Sequence, residues 1–317
     1  MEIILHLGVH RSASTSFQHY LRKNGARLAA SGIGVWTPQQ TRKGLLEGVL
    51  GGTSMFSAAK QAARARGRIA LALCTAEEAG IRQLIVSDEN MIGTPRGTLR
   101  GLRLYPAIGE RMARYETAFG GRITRVAISI RAQDAWWASC IAYAVARGAQ
   151  VPTSKHLAQI ASGGRGWRNV ITDLSCAVPE AEVMVMPHEI FAARPEARLK
   201  ALTGHCGVPQ AHAREWLNRA PDLPGLRRLI FERGGDPAIL PAGQGAWQPF
   251  SGEERADLRE AYLDDLYWLR AGADGLATLR EEPSQDEAGQ APPVPAETRG
   301  RHHDQEGASR VAQAGGG

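Results

Sequence analysis

A chain of 317 residues, 43% of them hydrophobic, has the length and apolar content for one large globular core. No run of about 18 apolar residues occurs, so the sequence predicts no membrane span. A net charge of +6, carried mostly by arginine, fits an anionic ligand and equally fits plain arginine-rich usage, and no stripe of basic and aromatic residues suggests a nucleic-acid surface.

Residues 3–7 read as a strand covered on both faces. No basic region or long apolar stretch precedes this strand, so no secretory leader is expected. The strand runs into a polar turn, Val9-His10-Arg11-Ser12-Ala13-Ser14-Thr15-Ser16, and then into a helical pattern over about 14–31. A strand, a turn of small residues and a helix N-terminus make an anion cradle, because the first helical N–H groups lack intrahelical acceptors and the dipole favours negative charge. The other reading is an ordinary N-capped helix. The turn lacks the Gly-x4-Gly-Lys-Ser/Thr of nucleoside-triphosphate loops, which removes most support for a kinase or GTPase.

Further strands are predicted at 33–36, 84–87, 125–130 and 183–186, with helices at about 56–80, 107–120 and 134–148 between them. This alternation predicts an α/β fold of three layers, a mainly parallel five-stranded sheet flanked by helices. Residues 154–175 and 194–232 read as helical, and 233–250, rich in Gly and Pro, as a long irregular loop. A helix with a Ser251/Glu254 capping box follows over 251–269. The domain is expected to span 1–280, and 281–317 reads as a disordered Pro/Glu/Gly-rich tail.

The four cysteines, Cys74, Cys140, Cys176 and Cys206, form no Cys-x-x-Cys pair. They read as buried free thiols of a cytoplasmic protein. His302 and His303 have no third ligand at metal-site spacing, and no metal is expected.

Three groups of polar residues fall at predicted strand ends. They are the 8–16 turn, Ser87-Asp88-Glu89-Asn90, and Arg131 with Ser139 eight residues on. An Arg at a strand end and a Ser two turns into the next helix can converge on one phosphate. Structural readings stand beside each: Arg131 as a helix-start or surface residue, Ser139 facing another helix, Glu89 as a capping carboxylate, His10 as a solvated loop residue. His6, Trp136 and Trp137 read as core, and His188 and Glu189 as turn-stabilising.

In these segments the chain resembles the sulfotransferase family that uses 3′-phosphoadenosine 5′-phosphosulfate. His6-Leu7-Gly8-Val9-His10-Arg11-Ser12-Ala13-Ser14-Thr15 follows the family's phosphosulfate loop, His-x-Gly-x-x-Lys-Thr-Gly-Thr-Thr, with Arg11 for its Lys and Ala13 for its Gly. Arg131 and Ser139 follow its 3′-phosphate motif, and Ser87-Asp88-Glu89 the Ser-x-Glu of bacterial and glycan-directed members. Residues 183–189 and 247–269 resemble further family segments, so the likeness touches most of 1–270.

The resemblance implies a P-loop-related sulfotransferase fold and sulfuryl transfer to an acceptor hydroxyl, such as that of a small molecule or glycan. It implies the donor nucleotide as co-substrate and no metal. Gly8, Arg11, Ser12, Ala13, Ser14, Thr15, Ser16, Arg131 and Ser139 would bind the donor. Glu89 would be the base and Arg11 would compensate charge; His10, read from its place in the loop rather than from the family motif, would lie near the sulfuryl group or be solvated. The rival readings are a kinase-like transferase using Mg-ATP and a non-catalytic nucleotide- or glycan-binding relative. The sequence sets neither the acceptor nor the oligomeric state.

Overall fold

The computed structural model describes residues 1–51 and 56–281. The expected tail lies, from residue 282 on, outside the described residues. The sheet holds β1 (Glu2–His6), β2 (Ile33–Trp36), β3 (Gln83–Ser87), β4 (Arg125–Ile130), β5 (Glu182–Pro187) and β6 (Thr278–Leu279), in the order β2-β3-β1-β4-β5-β6. Every pairing is parallel. The five expected strands are present, and the sheet has six. The added β6 is two residues long, too short to show a pattern in sequence.

Side chains of a strand alternate between faces, and the core divides accordingly. Ile3, Leu5, Val86, Val126, Ile128 and Val185 face a large cluster built with α2 (Ala58–Glu78), α3 (Ile108–Ala118), α4 (Gln133–Val145) and α5 (Trp167–Ala177). The opposite face, with Ile4, Ile85, Ala127 and Met184, packs on Phe17, Tyr20 and Leu21 of α1 (Ser14–Lys23) and on Leu199 and Leu202 of α6 (Pro195–Thr203). Helices therefore cover both faces, and the middle of each long strand is mostly apolar.

The chain leaves β1 over the second face, whereas its neighbours β3 and β4 send theirs over the first. The crevice beyond the carboxyl end of β1 lies where the winding reverses, the usual place for a ligand in such a sheet.

Other segments depart from expectation. The helix expected over 14–31 is interrupted at Asn24. Residues 154–175 form two helices, Ser154–Ala161 and α5, separated by Gly163 and Gly164. Of 194–232, only α6 and Leu223–Glu232 are helical. Pro209, Pro221 and the positive φ of His212 and Asn218 account for the break. The helix Gly252–Arg270 carries the expected Ser251/Glu254 capping box. Among the thiols, all free, Cys140 alone is buried; Cys74, Cys176 and Cys206 are exposed, so the reading of four buried thiols is corrected. No helix among the described residues is long and apolar enough to cross a membrane.

Candidate functional site

The turn after β1 is braced from within. Ser12 Oγ donates to the Val9 carbonyl at 2.5 Å, and Ser14 Oγ donates to the carbonyls of Gly8 and, at 3.0 Å, Val9. Ser16 Oγ accepts from Leu217 N at 2.9 Å. Ser12, Ser14 and Ser16 thus hold the protein itself. Gly8 has φ +42°, and a Cβ there would lie 2.6 Å from the His6 ring, so no other residue fits. His6 is locked by Ser87 Oγ, 2.8 Å from its Nδ1.

Ala13, the residue before α1, has φ +64° and no side-chain cap. The left-handed region costs an L residue about 1–2 kcal/mol. Ala13→Gly removes that strain at an entropic cost of about 0.5–1 kcal/mol. We expect the variant to be stabilised by about 0.5–1 kcal/mol in urea unfolding. A lower unfolding midpoint would show that the strain is not there.

A cavity of about 540 Å³ opens on this helix N-terminus, lined by Ala13, Ser14, Thr15, Arg11, His10, Glu89, Arg131 and Ser139 together with His188 and residues of 216–222 and 245–248. Its size is that of a small-molecule site. The fold thus brings the three strand-end groups to one cleft. Gly8, Ser12 and Ser16 stand behind the lining.

Two arginines tie the cleft together. Arg131 Nη1 donates to the Arg11 carbonyl at 2.8 Å, and Arg11 Nε donates to Ser139 Oγ at 3.1 Å. Arg11 Nη1 reaches the Asn218 carbonyl at 3.0 Å, and its guanidinium lies 5.0 Å from the Tyr143 ring centre. Arg131 and Ser139 therefore meet through Arg11. A third guanidinium, Arg198 of α6, sits behind the loop at 1% exposure, 3.3 Å from the Ser12 carbonyl. Its Nε and Nη1 find no acceptor. Burial lowers the pKa of all three, that of Arg198 to about 10. None of the three has a carboxylate within salt-bridge distance among the described residues.

At the end of β3, Asp88 takes Arg42 and Thr41 Oγ1, at 2.6 Å each, and caps Asn90 N. Glu89 accepts from Arg42 Nη2 at 3.0 Å and from Gln18 Nε2 at 2.7 Å, one donor on each oxygen.

His10 is 7% exposed. The Tyr105 hydroxyl accepts from His10 N at 3.1 Å, and its own proton then faces His10 Nδ1 at 2.9 Å. That leaves Nε2 carrying hydrogen, toward Asn90 Oδ1 at 3.3 Å. Burial, the largest influence, lowers the pKa of His10 and keeps it neutral. Both ring nitrogens are thus engaged.

His188 lines the cleft, its pKa lowered to about 3 by burial and by Arg131 and Arg198. Glu189 accepts from Ala132 N at 3.0 Å, where α4 begins, and from Tyr262 Oη at 2.9 Å. Trp136 and Trp137 are core, and Trp136 Nε1 donates to the His10 carbonyl at 2.8 Å.

Sequence reading misses Arg42, Tyr105, Arg198 and the 216–222 wall, whose partners lie far away in the chain. It also assigns no metal, whereas the fold gathers His19, His212 and Glu215, with their ligand atoms within 4.8 Å of one another. Comparison with protein-family models, curated proteins and solved structures gives no match.

Proposed function

We propose that this cleft binds 3′-phosphoadenosine 5′-phosphosulfate and transfers its sulfuryl group to an acceptor hydroxyl. The observation that carries the reading is the set Arg11, Arg131 and Arg198. Arg11 and Arg131 line the cleft at a helix N-terminus and Arg198 lies buried behind the loop, none of them with a carboxylate within salt-bridge distance among the described residues; Glu189 and Asp134 act on Arg131 only from further away. A buried charge without a counterion is expensive by several kcal/mol, and a polyanion in the cleft supplies the counterions. The resemblance of the 6–15 and 131–139 segments to the family's donor motifs narrows that polyanion to a nucleotide with phosphates at both ends.

In this reading the N–H groups opening α1, with the Thr15 hydroxyl, hold the 5′ group. Arg11 meets charge at the transferring end, and Arg131 and Ser139 meet the 3′-phosphate. The sulfur–oxygen bond to the donor phosphate breaks as one to the acceptor oxygen forms, and the acceptor proton passes to a Glu89 oxygen. The protein's part is positioning and charge stabilisation in a partly dry cleft. Mg-ATP chemistry draws less support, because both carboxylates at the end of β3 already hold Arg42 and the turn has no Lys. A non-catalytic binding role has one observation in its favour: both Glu89 oxygens and both His10 nitrogens already have partners.

Calorimetry with adenosine 3′,5′-bisphosphate and with adenosine 5′-monophosphate tests the donor. Arg131→Ala should weaken the bisphosphate by about 1.5–3 kcal/mol, roughly 10–150-fold, the worth of charge-assisted bonds. It should hardly change the monophosphate. Ser139→Ala should add less than its separate effect, since both residues meet one phosphate and both are bonded to Arg11. Equal affinities of the wild-type protein for the two nucleotides would overturn the reading.

A further inference from the structure

Residues 204–222 hold no helix or strand, yet the part from Trp216 to Asp222 lines the cleft. The segment is laid along α1 by side chains spaced one helical turn apart. Ser16 Oγ accepts from Leu217 N, Tyr20 Oη donates to the Pro209 carbonyl at 2.7 Å, and Asn24 Nδ2 donates to the Ala211 carbonyl at 3.0 Å. Midway along this seam stand His19, from α1, and His212 and Glu215, from the segment.

His19 Nε2 lies 2.6 Å from Glu215 Oε2, and His212 Nδ1 lies 2.5 Å from Glu215 Oε1. The two imidazoles meet edge to face with centroids 6.3 Å apart. His19 and Glu215 are 196 residues apart in the chain, so only the fold assembles the group. Two imidazole nitrogens and one carboxylate are the donor set of an open zinc site, with a fourth, tetrahedral position left for solvent.

We propose that His19, His212 and Glu215 bind a zinc-class divalent cation that fastens the 209–222 segment to α1. Bonds of about 2.0–2.2 Å place tetrahedral ligand atoms roughly 3.4 Å apart. The two His–Glu spacings therefore open by about 1 Å and the rest of the set, all within 4.8 Å, closes by up to about 1.4 Å, movements that His212 and Glu215, both exposed, supply by side-chain rotation. The cation reaches the cleft wall through two residues of the same segment. Leu217 N is held by Ser16, and the Asn218 carbonyl by Arg11. Cation and cleft ligand should then influence each other's affinity reciprocally. Arg22 Nη2 lies 3.1 Å from His19 Nδ1. Coordination through Nε2 puts the proton on Nδ1, so Arg22 must turn away, and its charge opposes the cation.

The test uses the full chain, stripped with chelator and titrated with zinc chloride by calorimetry, with cobalt(II) absorption as a second readout. Tight binding should fall in His212→Ala and in Glu215→Gln by at least about 10-fold, since even an outer-sphere partner is worth about 10–100-fold. Arg22→Ala should tighten it. Both ligand variants change exposed residues, and circular dichroism checks their fold. His302 and His303 are present in every variant, so binding that is equal in wild type and ligand variants overturns the site. So does the absence of zinc binding, which leaves a hydrogen-bonded cluster only. Trypsin cleavage after Arg214 and Arg219 tests the fastening. Zinc should slow it in the wild-type chain and leave it unchanged in Glu215→Gln. Zinc binding without that protection overturns the link to the cleft wall.

Discussion

Arg198→Met is expected to make the protein more stable and a weaker binder of anions at the same time. Arg198 is 1% exposed, donates among the described residues only to the Ser12 carbonyl, and lies 5.2 Å from the centre of the Phe17 ring. Its pKa of about 10 keeps it charged at neutral pH. The histidines near it are no counterions: burial, with Arg198 contributing, lowers the pKa of both His6 and His188. Met fills a similar volume without the charge. Replacing buried charges with apolar groups often stabilises by about 1–4 kcal/mol, and the lost bond to Ser12 subtracts about 1 kcal/mol.

The opposite sign should appear in binding. A unit charge within about 8 Å of another is worth ~2 kcal/mol at an effective dielectric near 20, or roughly 30-fold in affinity. Urea unfolding gives the first quantity and calorimetry with adenosine 3′,5′-bisphosphate the second. A variant that is less stable and binds as before would make Arg198 a structural residue and remove one of the three charges on which the functional reading rests.

Arg198 also shows where sequence reading stops. An arginine in the segment Pro-Glu-Ala-Arg-Leu-Lys has the local pattern of a solvated helix face. Its burial follows from α6 packing over the second face of the sheet, which no local spacing displays. Arg131 and Ser139 are legible because an apolar strand of six residues, β4, ends at Ile130 and fixes their place at the edge of the sheet. The strands themselves are legible for the same reason, being covered on both faces.

The internal bonding of the loop is not legible in sequence. Ser12, Ser14 and Ser16 read there as ligand hydroxyls, and a turn with positive φ at Gly8, Arg11 and Ala13 leaves carbonyls to which Ser12 and Ser14 donate, while Ser16 Oγ accepts from Leu217 N. The exposure of Cys74 depends on which side of α2 faces solvent. The segment 204–222 has helix-like composition around Ala211-His212-Ala213-Arg214-Glu215, and two prolines and its docking on α1 decide otherwise.

The largest rate effect is expected for Glu89→Gln. Glu89 begins the turn after β3, lines the cleft beside His10 and Arg11, and carries one donor on each oxygen. Each carboxylate oxygen has a second lone pair, so the group retains the capacity to accept a proton from an acceptor hydroxyl. His10 does not share that capacity, since Tyr105 donates to Nδ1 and Nε2 bears hydrogen. Gln in place of Glu89 keeps the shape and removes the base. It also leaves one of the two donors, Arg42 or Gln18, without its bond, worth about 1 kcal/mol. Arg42 still holds Asp88 at 2.6 Å, so the variant should fold. Loss of a positioned general base costs about 10²–10⁴-fold in rate. Sulfuryl transfer, measured with labelled donor and an acceptor found by screening, should therefore fall at least about 100-fold. Affinity for adenosine 3′,5′-bisphosphate should hold. Near-normal turnover would place the base elsewhere. Unfolding would make Glu89 the structural partner of Arg42 and Gln18, and a wild-type protein that binds the nucleotide and transfers nothing to any acceptor would favour the binding role over the enzyme.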